Sequence, residues 1–158
     1  MTTINPVRRA VQYASFDDLL ADAERLVRAG AATTGNWSLD QILGHLAIAM
    51  ELSVAGFHRK APWPLRLVGR YIFKPRILKH GMKPGFKLPA EAEKLSVPAP
   101  GGDPAAALER LRRAIALLKS NATRQPHPFF GPMPAAEWDR LHLRHAELHL
   151  SFVREPGS

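Results

Sequence analysis

The sequence predicts an all-α protein, a four-helix bundle with a long crossover between its second and third helices. Three observations carry this. Four segments repeat apolar residues at i, i+3 and i+4, and each follows a helix-start signal. No segment alternates with period two, so strands are not expected beyond a short pairing of loops. The connections are unequal: "AATTGNW" joins the first two helices, whereas about 47 residues (56–102) separate the second from the third.

The first helix opens at Ser15-Phe-Asp-Asp18, a capping box. Phe16, Leu19, Leu20, Ala23, Leu26 and Val27 follow at helical spacing, and Gly30 supplies a stop. Ser38-Leu-Asp-Gln41 is a second capping box, with Trp37 before the cap and Ile42 at the fourth helical position, as in a hydrophobic staple. That helix runs to about Ala55 on a face of Leu39, Ile42, Leu43, Leu46, Ala49 and Met50. The crossover carries "WPLRLVGRYIF", expected as a broken helix packed over one end of the bundle and ended by Pro75. Asp103-Pro104 opens the third helix, and Ala107, Leu108, Leu111, Ile115 and Leu118 make its stripe. The fourth runs from near Pro134 to about Val153, with Trp138, Leu141, His142, His145, Leu148, His149 and Phe152 on one stripe.

A chain of 158 residues suits one domain, taken as residues 1–158. The N-terminal "MTTINPVRRAVQYASFDDLL" has an arginine pair with no apolar stretch behind it, so no secretory signal is expected. Apolar runs fall short of the ~20 residues a membrane-spanning helix needs. The chain has no cysteine, which excludes disulfides, thiolate metal sites and a cysteine nucleophile. A reducing cytoplasm is the simplest home for such a chain.

The net charge of +8 is concentrated. Between Glu51 and Glu91 there is no acid but nine bases: Arg59, Lys60, Arg66, Arg70, Lys74, Arg76, Lys79, Lys83 and Lys87. The rest of the chain therefore carries −1. Such a block can attract nucleic acid, an anionic surface or an acidic substrate.

The stretch "LHLRHAELHLSF" (141–152) holds three histidines on an apolar face. His145 and His149 stand four residues apart, about 40° round a helix, so both imidazoles can reach one metal ion. His142 is seven residues from His149, about 10 Å along the axis, too far to share that ion. His45 borders the inward face of the second helix among Ile42, Leu46 and Ala49, and is the candidate third ligand. Three imidazoles from two helices leave coordination positions open, the pattern of a catalytic metal. "HAELH" is not a zinc-protease motif: its acid, Glu147, sits about 200° from His145 and faces away. His142, His127, Trp37 and Trp138 are candidates for supporting the ligands or lining the pocket. The plainer reading makes Trp37, Trp138 and Phe152 core residues, His127 the residue that orients the loop "HPFFGP", and His58 and His80 solvated.

"NWSLDQILGHLA" (36–47), "HPFFGPMPAAEWDRLHLRHAELHLSF" (127–152) and the long interval between them resemble the DinB/YfiT-like superfamily, and within it a bacterial family labelled as a domain of unknown function. The resemblance extends over most of the chain. It implies a bundle with helix order up-down-down-up and a three-histidine site for a divalent metal, zinc or nickel. The matching positions are His45, after the "W-S-x-x-Q" start, with His145 and His149 in H-x-x-x-H. Some superfamily members are transferases or isomerases that use a low-molecular-weight thiol. Met133 departs from the pattern, because relatives tend to place a hydroxyl helix cap there.

The leading expectation is a divalent-metal-dependent enzyme acting on a small molecule, with the three histidines activating a water or a thiol cofactor, of hydrolase or thiol S-transferase type. With no cysteine, any sulfur nucleophile must arrive on a cofactor, whose carboxylates the basic crossover could hold. The alternative is a non-catalytic metal- or ligand-binding bundle, a candidate homodimer. The third is binding of nucleic acid or an anionic surface through residues 59–87. Nucleic acid is disfavoured, since Pro62, Pro64, Pro75 and Pro84 interrupt any continuous basic helix.

Overall fold

Local signals decide where the helices begin. In α1 (Phe16–Arg28) the Asp18 N–H donates to Ser15 Oγ and the Ser15 N–H donates to Asp18 Oδ2, each at 3.1 Å, so the capping box is complete. At its end Gly30 takes φ +63°. Its N–H donates to Val27 O and that of Ala31 to Leu26 O, which satisfies carbonyls the helix leaves open. The computed structural model describes residues 8–85 and 89–157. Lys87, the ninth base of the crossover, lies outside the described residues, as do residues 1–7.

The chain is mostly helical, with little strand. Besides α1 the long helices are α2 (Leu39–Ala55), α6 (Pro104–Ser120) and α7 (Ala135–Leu150). Between α2 and α6 the chain forms α3 (Trp63–Val68), a π-helical turn at Gly69–Phe73, α4 (Lys74–His80) and α5 (Ala90–Ser96). α6 packs on α1 and α2, and α7 packs on α1, α2 and α4. One core draws on all four long helices, with Leu19, Leu26, Leu43, Leu46, Leu111 and Leu150 almost wholly buried. Full burial of each such side chain contributes about 1.5–3 kcal/mol. A smaller cluster of Leu78, Phe130, Met133, Trp138 and Leu141 lies where α4 and the loop before α7 meet α7.

α2 departs from the one-sided pattern of its sequence. Every residue from Leu39 to Ala47 is buried, polar ones included, because α5, α6 and α7 pack around it. His45 is therefore enclosed rather than on a boundary, at 5% exposure.

The crossover differs most from expectation. Its helical segment does not end at Pro75. The Lys74 N–H reaches back five residues to Gly69 O, and this wider turn carries the helix up to Pro75, which sits in the first turn of α4. Nor is the segment packed along its length: Gly69 and Leu78 are buried, while the apolar side chains between Trp63 and Phe73 are exposed. α7 is also shorter than its stripe suggests. Ser151 caps it, and Val153 pairs with Thr33 in a two-residue antiparallel ladder, β1 (Ala32–Thr33) with β2 (Val153–Arg154). Phe152 packs beside Gly35, and the Arg8 guanidinium lies 4.8 Å from its ring centre.

Candidate metal centre

α7 presents His145 and His149 on one side at one-turn spacing, and α2 presents His45 to the same point. His145 Nε2 lies 3.0 Å from His45 Nε2 and 3.0 Å from His149 Nε2. The three ring centres are 4.7–4.8 Å apart and the ring planes cross at 74–80°, so three imidazoles meet edge-on around one point. These three nitrogens lie within 4.8 Å of one another.

Protons decide what such a cluster can hold. His45 Nδ1 lies 2.7 Å from the Ser96 carbonyl oxygen. A carbonyl only accepts, so Nδ1 carries the proton and His45 Nε2 is a bare lone pair. His145 Nε2 then faces two nitrogens with at most one N–H. A hydrogen bond can satisfy one neighbour and not the other. A cation among the three resolves this, because each lone pair can donate to it. Metal–nitrogen bonds of ~2.1 Å place neighbouring imidazole nitrogens ~3.0–3.4 Å apart, which matches the two 3.0 Å separations from His145. The donor set therefore fits a divalent ion, and His45, His145 and His149 could hold one.

Burial tunes the donors in the same direction. It pushes the pKa of His149 down to about 3, with a further push from His45. His145 lies well below the ordinary imidazole value, from burial first and then from the neighbouring His149 and His45. His45 is also lowered by burial, partly offset by its bond to Ser96 O. All three are neutral at neutral pH, the form that coordinates metal.

The last part of the crossover is strapped to the start of α2 beside the cluster. Gln41 Nε2 donates to Pro98 O at 3.0 Å, and the Gly102 N–H donates to Asp40 Oδ2 at 2.9 Å. Gly44 leaves room for this strap: a Cβ there would stand 2.6 Å from Pro98 Cγ. Trp37 closes another side. Its ring stacks on His149 with centres 5.0 Å apart and meets His45 edge-on at 4.9 Å.

His142, His127 and Trp138 go elsewhere. His142 Nε2 lies 3.1 Å from Ser53 Oγ, and its ring stacks on Trp138. The Ser53 hydroxyl donates to Met50 O, so its oxygen accepts from His142. His127 Nδ1 accepts the N–H groups of Phe129 and Phe130, which orients the loop before α7. The Trp138 indole N–H donates to Gln125 O. Among the described residues none of the three bonds or stacks on the triad. One turn of α7 separates His142 from His145 and sends its ring into the second cluster. His58 and His80 are exposed. Glu147 accepts from the Tyr13 N–H at 2.9 Å and is held by both oxygens on Arg144, turned away from the triad.

Sequence reasoning missed the Ser96 carbonyl, because a backbone group leaves no residue-type signal. Gly44 did leave one: an isolated glycine inside an apolar helix usually marks a close packing contact.

Comparison with curated proteins and comparison with solved structures each found no match. One family model covers nearly the whole chain, residues 6–156. Neither long apolar α2 nor the histidine-bearing α7 falls outside that span, so the chain belongs to the family described as "Protein of unknown function (DUF1569)".

Proposed function

We propose that the protein is a divalent-metal-dependent enzyme of the DinB-like kind, with His45, His145 and His149 as the ligands of a zinc or nickel ion. In this reading the four long helices form one up-down-down-up bundle in one domain. The observation that carries it is the meeting of three Nε2 atoms, two pairs at 3.0 Å, with one proton too few to satisfy them. Such an ion, when bound, supplies Lewis acidity that lowers the pKa of a water or thiol brought to it.

The chain's own residues supply orientation and a dry boundary. Ser96 O fixes the tautomer and angle of His45. Trp37 braces His149 and covers that side of the cluster with an apolar ring. A small molecule would enter where the ligands leave positions open, as a hydrolase substrate or as the partner of a low-molecular-weight thiol.

A second reading, a non-catalytic metal-binding bundle, is favoured by one observation. No carboxylate among the described residues joins the triad, and Glu147 is fully engaged elsewhere.

Elemental analysis of protein purified without nickel resin tests the metal, with one zinc or nickel per chain expected. Less than a tenth of an equivalent, with no uptake on adding either ion, would remove both readings. Cobalt-loaded protein separates the chemistries: a charge-transfer band on adding a low-molecular-weight thiol supports the thiol route, and none with any thiol leaves hydrolysis.

A further inference from the structure

Exposed large apolar side chains gather in one place. Among the described residues, Trp63, Leu65, Leu67, Val68, Tyr71, Ile72 and Phe73 all lie within residues 63–73, and only Leu95 lies apart. Trp63 is 71% exposed and Tyr71 69%. A helix of a water-soluble body normally hides its apolar side. Here the segment is anchored through Gly69 against Phe129, Lys74 on Glu137, and Ile77 with Leu78 at the second cluster, while the large apolar side chains from Trp63 to Phe73 stay exposed. A Cβ at Gly69 would lie 2.5 Å from Phe129 O, so this seat is close and specific.

Cations interleave with the apolar residues. Among the described residues, Arg59 pairs with Glu91 and Lys74 with Glu137, while Lys60, Arg66, Arg70, Arg76, Lys79 and Lys83 make no ion pair. The Arg66 Nε atom is buried and has no hydrogen-bond partner. Arg66, Arg70, Trp63 and Tyr71 line a cleft of about 270 Å³. The surface is thus apolar and strongly cationic at once.

That combination selects among partners. Nucleic acid answers the cations, and unpaired bases can stack on Trp63, Tyr71 and Phe73, but it offers no apolar phase for Leu65, Leu67, Val68 and Ile72. A bilayer interface answers both. Trp and Tyr settle at headgroup depth, and Arg and Lys meet lipid phosphates while their stems lie along apolar surface. No helix among the described residues is long and apolar enough to cross a membrane, so the contact is with the surface.

We propose that residues 63–80 dock on an anionic phospholipid bilayer, with Trp63, Leu67 and Tyr71 entering the headgroup region and the Arg66–Arg70 cleft receiving a lipid phosphate. This does not depend on the metal centre.

Sedimentation of the full chain with vesicles tests it, using phosphatidylcholine alone and phosphatidylcholine with phosphatidylserine. Binding to the anionic vesicles is expected, weaker at high salt, with a blue shift in emission from Trp63. Trp63→Ser/Tyr71→Ser should lower the partition coefficient about tenfold or more. Arg66→Gln/Arg70→Gln should lower it about fivefold per charge removed. Trp63 and Tyr71 are exposed, and Arg66 and Arg70 are half-buried and make no ion pair among the described residues, so both variants should keep the helical circular dichroism of the parent. Equal binding to the two vesicle types overturns the proposal, as does undiminished binding by both variants. Tighter binding to duplex DNA than to anionic vesicles in the same buffer also overturns it. So does a dimer in sedimentation velocity that Trp63→Ser/Tyr71→Ser splits, since a second copy would then cover the face.

Discussion

The carbonyl oxygen of Ser96 lies 2.7 Å from Nδ1 of His45, so a backbone atom of the crossover sets the tautomer of a histidine on α2. The strap that delivers it rests on Gly44. We predict that Gly44→Ala weakens zinc or nickel binding about 10- to 100-fold, the usual effect of losing an outer hydrogen bond to a ligand. Alanine favours a helix interior over glycine by about 1 kcal/mol. The 2.6 Å approach to the Pro98 ring works against this, because the ring is fixed to its backbone and the strap must move. Calorimetric titration with metal checks it; unchanged affinity would mean that Ser96 does not position His45.

Metal should stabilise the folded chain by mass action. At a free concentration 100 times Kd the gain is about 2.7 kcal/mol, or roughly 5–10 °C in Tm for a chain of this size. His145→Ala should abolish the shift and keep a helical fold, because the main core draws on all four long helices without it. Glu147→Ala should keep the metal-induced shift but lower the starting Tm, since the Tyr13 N–H and Arg144 lose their acceptor. Equal shifts in wild type and His145→Ala would make the histidine face mere packing.

The pH at which that shift fades differs from the value for free imidazole. Unperturbed histidine competes with metal for protons near ~6.5. Burial holds His149 down at about 3, so the folded chain should keep its metal-induced shift from pH 7.5 down to pH 5.5. Melting curves at both values check this; halving of the shift by pH 6 would contradict the burial of the ligands.

Without metal, acid should destabilise the fold through the same depressed groups. His142 has a folded pKa of about 3 and His127 of about 4, both from burial, against ~6.5 unfolded. Depressed groups contribute stability that is present above the unfolded pKa and is lost as pH falls towards the folded one. The unfolded chain takes up the protons first. His142 alone should cost about 2 kcal/mol between pH 7.5 and pH 5. His142→Gln retains a hydrogen-bonding group near Ser53 and does not titrate, so its urea unfolding should lose about 2 kcal/mol less than wild type over that range.

Gly69→Ala should loosen the crossover helix without touching the triad. Its Cβ would meet Phe129 O at 2.5 Å, and a carbonyl in a packed loop cannot swing aside. Faster amide exchange across residues 63–80, with metal affinity unchanged, is the expected result. Altered metal affinity would show that the two regions are coupled.

The sequence by itself determined what depends on neighbours a few residues apart. Ser15 with Asp18 and Asp103 with Pro104 mark helix starts because capping is local chemistry. His145 and His149 share a side because the helical repeat puts them there. Only the tertiary structure decided what depends on groups distant in the chain. It brought His45 within 3.0 Å of His145 across 100 residues, and drew Ser96 onto His45 from the crossover. It also turned His142 and Trp138 into a separate cluster, carried the helix through Pro75 by a π-helical turn, and drew Val153 out of α7 into a strand. The physical reason is common to these cases. Helix periodicity assigns a residue to a side of its own helix, whereas packing decides what that side meets and which backbone groups find partners there.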